Sequence, residues 1–359
     1  MRNLCGVLIS ILIASLWSSI VTGATFHNVV AFGDSLTDNG NIYSATLGRI
    51  PDPKEYYKGR FSNGPVWVEY LADQLRLAGE LHDYAFGGAE TGKRSIPPGL
   101  VTQVNLYILS ADRPKKTLYT VWAGANDFLN GDADAEEAIS NMMDALHRLV
   151  SAAGARHILV ANLPDLGATP RLRGTDRSRE GSKFSREFNR RLESALDVLE
   201  AEFVDLVLYR FDTFDLLNGL LEQPEAYGFS YVTGPCPSFG EDFLNREGCL
   251  FWDAVHPSTE AHRWIGIVSA DAVSTGCVAI SDDLSLSVPC AAYQGVSVGF
   301  RLRYSGGTAG DPKGHYWKAD PSSLGAGGIS GTDCALLGEH FDLTVPCAEF
   351  DGKTVKFVL

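Results

Sequence analysis

A serine hydroxyl becomes an acyl-transfer nucleophile only when a base takes its proton and donors stabilise the oxygen of the attacked carbonyl. The chain holds residues of the right types for both tasks. Ser35 stands in Gly33-Asp34-Ser35-Leu36, where the apolar run Val29-Val30-Ala31-Phe32 gives way to a Gly/Asn-rich turn. Its hydroxyl is thus expected at the C-terminal end of a strand, the edge where ligands bind in open α/β sheets. Far downstream, Asp253 and His256 lie three residues apart on a turn entering the helix at Pro257-Ser258. A carboxylate at that spacing can hold one imidazole nitrogen, fix the tautomer and stabilise the imidazolium, leaving the other nitrogen for Ser35. Two further donors are in place. Ala85-Phe86-Gly87-Gly88-Ala89 follows a predicted strand at Leu81–Tyr84, and Gly88 lets a backbone N–H approach a substrate closely. Asn126, in Gly124-Ala125-Asn126-Asp127, offers a side-chain amide between a strand and a helix. With the Ser35 N–H these make three donors from three strand ends, and losing one such donor typically costs ~2.7–4 kcal/mol of barrier stabilisation.

These groups need a frame that brings strand ends to one rim. Val29–Phe32, Leu118–Trp122, His157–Ala161 and Leu206–Tyr209 read as strands. Val66–Leu77, Val101–Ala111, Ala135–Ala153, Phe184–Phe203 and Thr259–Val273 read as helices. Ile139, Met142, Met143, Leu146, Leu149 and Val150 have the three-and-four spacing of one buried helical face, with the methionines as core filling. Alternating strands and helices with nearly continuous apolar strands predict a parallel sheet covered on both faces.

The motifs resemble those of the GDSL, or SGNH, hydrolases. The resemblance rests on Phe32 through Asn41 (FGDSLTDNGN), Gly59 through Trp67 (GRFSNGPVW), Phe86-Gly87-Gly88-Ala89, Gly124-Ala125-Asn126-Asp127, Asn162 through Pro170 (NLPDLGATP) and Asp253-Ala254-Val255-His256-Pro257. It covers roughly residues 26–275 and implies a flavodoxin-like three-layer αβα sandwich with esterase or lipase activity. It implies Ser35, Gly88, Asn126 and His256 as the role-bearing residues, with Asp253 completing the triad, and no metal or organic cofactor.

Plainer roles suit other polar residues. The family pattern implies Asp34 as a turn and sheet-end hydrogen-bonder, with a second acid as the alternative, and Asp38, Asn39 and Asn41 read as partners of loop backbone groups, with direct substrate contact as the alternative. Asp165 reads as a loop cap, His147 and His157 as structural, and His262 as a surface residue. Tyr43, Tyr56, Tyr57, Phe61 and Trp67 supply enough aromatic surface to line an acyl site, or to stack on a sugar. Gly295-Val296-Ser297-Val298-Gly299 matches the G-x-S-x-G elbow of another hydrolase fold, but that elbow needs a strand-turn-helix setting and both flanks here look like strand.

Three regions are expected. Residues 1–24 read as a secretory signal: Arg2, an apolar Leu4–Trp17 and small residues at Val21-Thr22-Gly23-Ala24. An uncleaved anchor is the alternative. Loss of Arg2 would take the formal charge from −14 to −15, which opposes binding to nucleic acid or an anionic membrane surface. The roughly 335 remaining residues exceed one comfortable core: 25–276 would form the hydrolase domain and 277–359 a small all-β domain. There the chain repeats at an offset of 57, residues 277–302 matching 334–359, with Val288-Pro289-Cys290-Ala291 answering Val345-Pro346-Cys347-Ala348. Each unit is predicted as a strand, a Pro-Cys turn and a second strand. Beyond Cys5 the cysteines fall in pairs 13 apart, Cys236/Cys249, Cys277/Cys290 and Cys334/Cys347, which in an exported chain read as disulfides, with local pairing favoured. A zinc site is the alternative, but no C-x-x-C or histidine at ligand spacing accompanies them. Together these features predict an enzyme secreted to an extracellular or periplasmic space, and the resemblance of the motif blocks to the lipase-like branch of the family implies lipid-type acyl esters as substrates. The rivals are a carbohydrate acetylesterase and a non-catalytic protein that attaches to a surface, glycan or partner through the β domain.

Overall fold

A computed structural model describes residues 26–77, 80–94, 96–110, 116–131, 134–237 and 246–273 with their side chains, and Ser274 and seven later strands as backbone. The expected signal segment lies outside the described residues, as do Cys277 and Cys334. Among the described residues no helix is long and apolar enough to cross a membrane.

Five strands form one parallel sheet: β1 (Asn28–Gly33), β2 (Leu81–Asp83), β3 (Thr117–Trp122), β4 (His157–Ala161) and β5 (Val207–Phe211). Their order is β2-β1-β3-β4-β5, the flavodoxin-like winding, with β1 and β3 flanking the point where the strand order reverses. Alternate residues feed two cores, because successive side chains on a strand face opposite ways. Val30, Phe32, Val121 and Val160 pack with α3 (Leu100–Leu109), α5 (Ala135–Ser151) and α6 (Ser178–Glu202). Val29, Ala31, Leu118 and Leu159 pack with α2 (Trp67–Gln74) and α8 (Thr259–Ser274). The result is three layers, helices on both faces of a buried sheet.

Side-chain caps mark the starts of two of the helices. Asp134 accepts from the Glu136 and Glu137 N–H groups and so caps α5. α6 begins at Ser178, ahead of the predicted Phe184; its first turns are polar and show no apolar stripe for periodicity to detect. Three α-helices were not foreseen: α1 (Asn41–Ala45), α4 (Ala125–Leu129) and α7 (Thr213–Glu222), the last capped by Asp212. A short parallel pair, β6 (Tyr231–Pro235) and β7 (Cys249–Phe251), precedes α8 and is joined by the Cys236–Cys249 disulfide.

Beyond α8 the described backbone is strand. β8 is Val278–Ala279, β9 Ser285–Tyr293, β10 Val296–Gly306, β11 Tyr316–Ala326, β12 Ala335–Leu336, β13 Thr344–Phe350 and β14 Lys353–Val358. The repeat recurs in the pairing: Val288↔Phe300 and Ala291↔Val298 in one copy, Val345↔Phe357 and Ala348↔Val355 in the other. The predicted Pro-Cys turn is corrected. Each strand runs on through its Pro-Cys pair, at a register shift that spares the proline a ladder hydrogen bond, and reverses later. Ser297 sits within β10, opposite Ala292, a strand setting unlike a nucleophile elbow.

Candidate active site

The sheet delivers Ser35 to its C-terminal rim, two residues past β1, and the turn before α8 brings His256 to it. His256 Nε2 lies 2.8 Å from Ser35 Oγ, and His256 Nδ1 lies 2.6 Å from Asp253 Oδ2. The Asp-x-x-His spacing works because the turn closes on itself: Asp253 Oδ1 accepts from the Val255 and His256 N–H groups at 2.8 and 2.7 Å. Burial alone would raise the Asp253 carboxyl. The neighbouring His256 and these hydrogen bonds override burial and bring it down to about 2, so it is a carboxylate at neutral pH.

Neither the Ser35 N–H nor the Gly88 N–H donates to an acceptor among the described residues. Gly88 has φ of 79°, a left-handed backbone that disfavours a side chain, although a Cβ there would meet only Pro97 at 3.7 Å. Asn126 opens the first turn of α4, its Nδ2 donating to Ala89 O at 3.0 Å and reaching Asp34 Oδ2 at 3.4 Å. Ser35, Gly88 and Asn126 thus come from the ends of β1, β2 and β3, as expected from their places in the chain. A hydroxyl, an imidazole, a carboxylate and three N–H donors in this arrangement have the chemistry for acyl transfer.

Buried carboxylates hold the loops that carry these donors. Asp38 accepts from the N–H groups of Gly40, Asn41, Ile42 and Gly87, while Asp83 accepts from those of Asn39 and Ala85. Asn41 Nδ2 donates to Asp83 O and Ala85 O. Burial raises the pKa of both carboxyls despite these bonds. Asp34 accepts from Leu36 N–H at the sheet end, and burial pushes it up to about 6. Asp127 takes two bonds from Thr91, tying α4 to the loop after Gly88, and is likewise pushed up to about 6 by burial. Gln103, on α3, exchanges hydrogen bonds with both backbone groups of Gly33. Sequence reasoning missed Asp83, Gln103 and the Thr91–Asp127 clasp. Only Gln103 left a trace, as a polar residue in an apolar helical stripe.

The segment 52–67 braces the histidine turn. Tyr56 Oη donates to Asp253 Oδ2 at 2.7 Å, and the Phe61 ring lies 5.0 Å from that of His256 at an interplanar angle of 30°. Ser62 Oγ donates to Pro257 O, Asn63 Oδ1 accepts from Thr259 N–H, and Trp252 Nε1 donates to Glu55 O. Gly64 permits this contact, since a Cβ there would run into the Thr259 side chain. Trp67 is fully buried in the core, and the Tyr43 ring lies against Gly48 and Gly59. Of the five aromatic residues expected to line an acyl or sugar site, Tyr56 and Phe61 instead touch the histidine turn. The Cys236–Cys249 disulfide packs with Trp252 and Tyr56, placing it behind Asp253.

Other predicted residues fall outside the cluster. His147 pairs with Glu202 and His157 with Tyr209, both away from Ser35, and Asp165 accepts from Gly167 N–H as a cap. The surface placement of His262 is corrected. It is wholly buried where α8 packs on α2, its Nδ1 accepting from Trp67 N–H at 3.2 Å. Burial holds it down at about 3, so the ring is neutral.

The family model for GDSL-like lipase/acylhydrolase matches residues 29–267, a stretch that contains every member of this cluster. The chain is 32% identical over 263 residues to the thermolabile hemolysin of Vibrio parahaemolyticus, covering 67% of this chain and 62% of that protein. It is 30% identical over 296 residues to the phosphatidylcholine-sterol acyltransferase of Aeromonas hydrophila, covering 66% and 87%. It is 25% identical to the secreted effector protein SseJ of Salmonella typhimurium, covering 67% and 62%. The chain thus spans about three-fifths of the length of the first and third of these relatives. A match of this extent, over a site with this geometry, makes the protein a member of the GDSL-like lipase/acylhydrolase family.

Proposed function

We propose that the protein is an exported serine ester hydrolase that cleaves lipid-type acyl esters. The observation that carries this reading is the relay from Asp253 through His256 to Ser35, with contacts of 2.6 and 2.8 Å at the rim of a parallel sheet. Ser35 Oγ attacks the ester carbonyl as His256 Nε2 takes its proton, and Asp253 steadies the imidazolium. The N–H groups of Ser35 and Gly88 and the Asn126 amide hold the oxyanion. His256 returns the proton to the departing alkoxide, leaving an acyl group on Ser35. The same base then activates water to release the acid.

The names of the hemolysin and of the phosphatidylcholine-sterol acyltransferase favour a phospholipid acyl ester, and the secreted effector, together with the signal-like residues 1–24, favours export. Residues 25–276 form the catalytic unit in this proposal. Residues 277–359 form a disulfide-stapled β unit that attaches the enzyme to a surface or glycan.

Turnover of p-nitrophenyl esters by Ser35→Ala tests the mechanism: a loss of ~10⁴-fold or more is expected. Unchanged turnover would remove Ser35 as nucleophile.

A further inference from the structure

Phe61 is a half-buried ring that touches both halves of the site. Towards the base, its centroid lies 5.0 Å from that of the His256 imidazole, with the two planes tilted by 30°. Towards the oxyanion donors, it meets the loop that carries Gly88. A Cβ on Gly87 would run into Phe61 Cε2 and Cζ, so the ring lies directly against the Gly87 backbone. That backbone is itself held, since Gly87 N–H donates to the buried Asp38 carboxyl at 2.8 Å. We infer that Phe61 is a positioning residue that favours the imidazolium of His256 and ties its ring to the Gly88 loop. The inference rests on the ester hydrolase reading and deepens it.

The faces of a phenyl ring are electron-rich, and a cation within about 6 Å of the centroid is attracted to them. A neutral imidazole gains much less from the same contact. The Phe61 ring therefore contributes most once Ser35 has given up its proton and His256 is charged. An interaction stronger in the transition state than in the ground state is the kind that raises rate. Phe61 has no donor or acceptor to compete for the imidazole nitrogens, which stay engaged with Asp253 and Ser35 at 2.6 and 2.8 Å. The contact also accounts for the first glycine of Phe86-Gly87-Gly88-Ala89, which leaves the room that the ring fills.

Other groups act on the same imidazole. Asp253 holds Nδ1 from its own turn, and Tyr56 touches Asp253 from the segment 52–67. Asp34 at the end of β1 and His262 in α8 feel the imidazole's charge. Among these, Phe61 packs on Tyr56, the centroids 6.0 Å apart and the rings edge to face at 62°. The direct and indirect routes differ in sign. Weakening the Phe61 face makes the imidazolium harder to form and moves the acidic limb of kcat/KM down. Loosening Tyr56 would leave the Asp253 charge less compensated and move that limb up.

The test uses the whole protein, p-nitrophenyl acetate and a pH series. Mono-, di- and trifluorophenylalanine at position 61 drain the ring faces stepwise at nearly constant shape. The acidic limb should move down with each added fluorine, by ~0.5–1 pH in all, and the plateau should fall by up to ~3–10-fold. Gly87→Ala should lower the plateau in the wild type yet cost little beside Phe61→Ala, where the new methyl has room. A limb that stays in place or moves up across the fluorinated series would overturn the imidazolium role. Independent losses from Gly87→Ala and Phe61→Ala would overturn the tie to the loop. An NMR titration of the His256 ring reads the same shift without substrate. Absence of ester turnover in the wild type would therefore defeat the hydrolase reading, while the Phe61 contact is still decided by the titration.

Discussion

Tyr56 and His256 share one oxygen: both contact Asp253 Oδ2, the phenol at 2.7 Å and the imidazole Nδ1 at 2.6 Å. Burial and the adjacent carboxylate push the Tyr56 hydroxyl well above its ordinary pKa, so it remains a donor. Asp253 therefore receives four hydrogen bonds, two from its own turn, one from the imidazole and one from a segment nearly 200 residues away in the chain. A phenol that contacts the carboxylate and not the reacting atoms is a positioning residue.

Removing only that hydroxyl, in Tyr56→Phe, leaves the Asp253 charge less compensated and the imidazolium more strongly held. The acidic limb of the kcat/KM profile should move up by ~0.5 pH, with about a tenfold loss at the plateau. A pH-rate series decides it, since a ring that merely packs would leave the limb where it was.

Asn126→Ala withdraws a donor from the proposed oxyanion site without touching the relay. Turnover should fall by ~10²–10³-fold while KM changes little, the pattern of an interaction made in the transition state. Steady-state kinetics on a soluble ester measure both constants, and a rise in KM alone would mark Asn126 as a ground-state contact.

His262 links stability to pH. Its folded pKa of about 3 lies below the ordinary 6.5 of histidine, so its contribution is complete above pH 6.5 and is lost as pH falls towards 3. The full loss is on the order of 4–5 kcal/mol. Asp34 and Asp127 act in the opposite sense: their raised pKa values give stability that is present below pH 3.8 and lost as pH rises through about 6. Urea unfolding between pH 4 and 7 should therefore show a shallower acid decline in His262→Asn than in the wild type. Parallel curves would mean that His262 does not titrate on unfolding in this range.

The Cys236–Cys249 disulfide closes a loop with a sequence separation of 13, next to Trp252. Replacing both cysteines by serine should cost ~3 kcal/mol of stability, as loop-closure entropy predicts. Turnover should also fall, because Trp252 directly precedes Asp253. Urea midpoints and kcat measured on the same preparation separate the two effects; lower stability with full turnover would deny the bridge any part in bracing the turn.

Much of this arrangement was legible in the chain. Strand β4 begins and ends at the predicted residues, His157 and Ala161, because an unbroken apolar run between polar flanks permits little else. Ser35, Asp253 and His256 sit in short motifs whose own turns place them, so the contacts between them could be foreseen from topology. Residues whose roles depend on distant partners could not. A reading of its helix by itself places His262 at the surface, whereas packing on α2 makes its position interior. Tyr56 lies in a loop without periodicity, and nothing nearby in sequence names Asp253 as its partner. The two β hairpins repeat the register implied by the 57-residue offset, yet β8 pairs with the second copy's β13 and β12 with the first copy's β9. That exchange between copies is a matter of spatial arrangement that a repeat alone does not encode.

The 221-residue span between Ser35 and His256 gives the protein a built-in delay. The hydroxyl emerges early in synthesis, but the imidazole arrives only after the entire sheet has left the ribosome. A nascent chain, or one cut short before Asp253, holds the Ser35 hydroxyl without the imidazole that contacts it. In the proposed mechanism, the order of the polypeptide withholds the base until the sheet is complete.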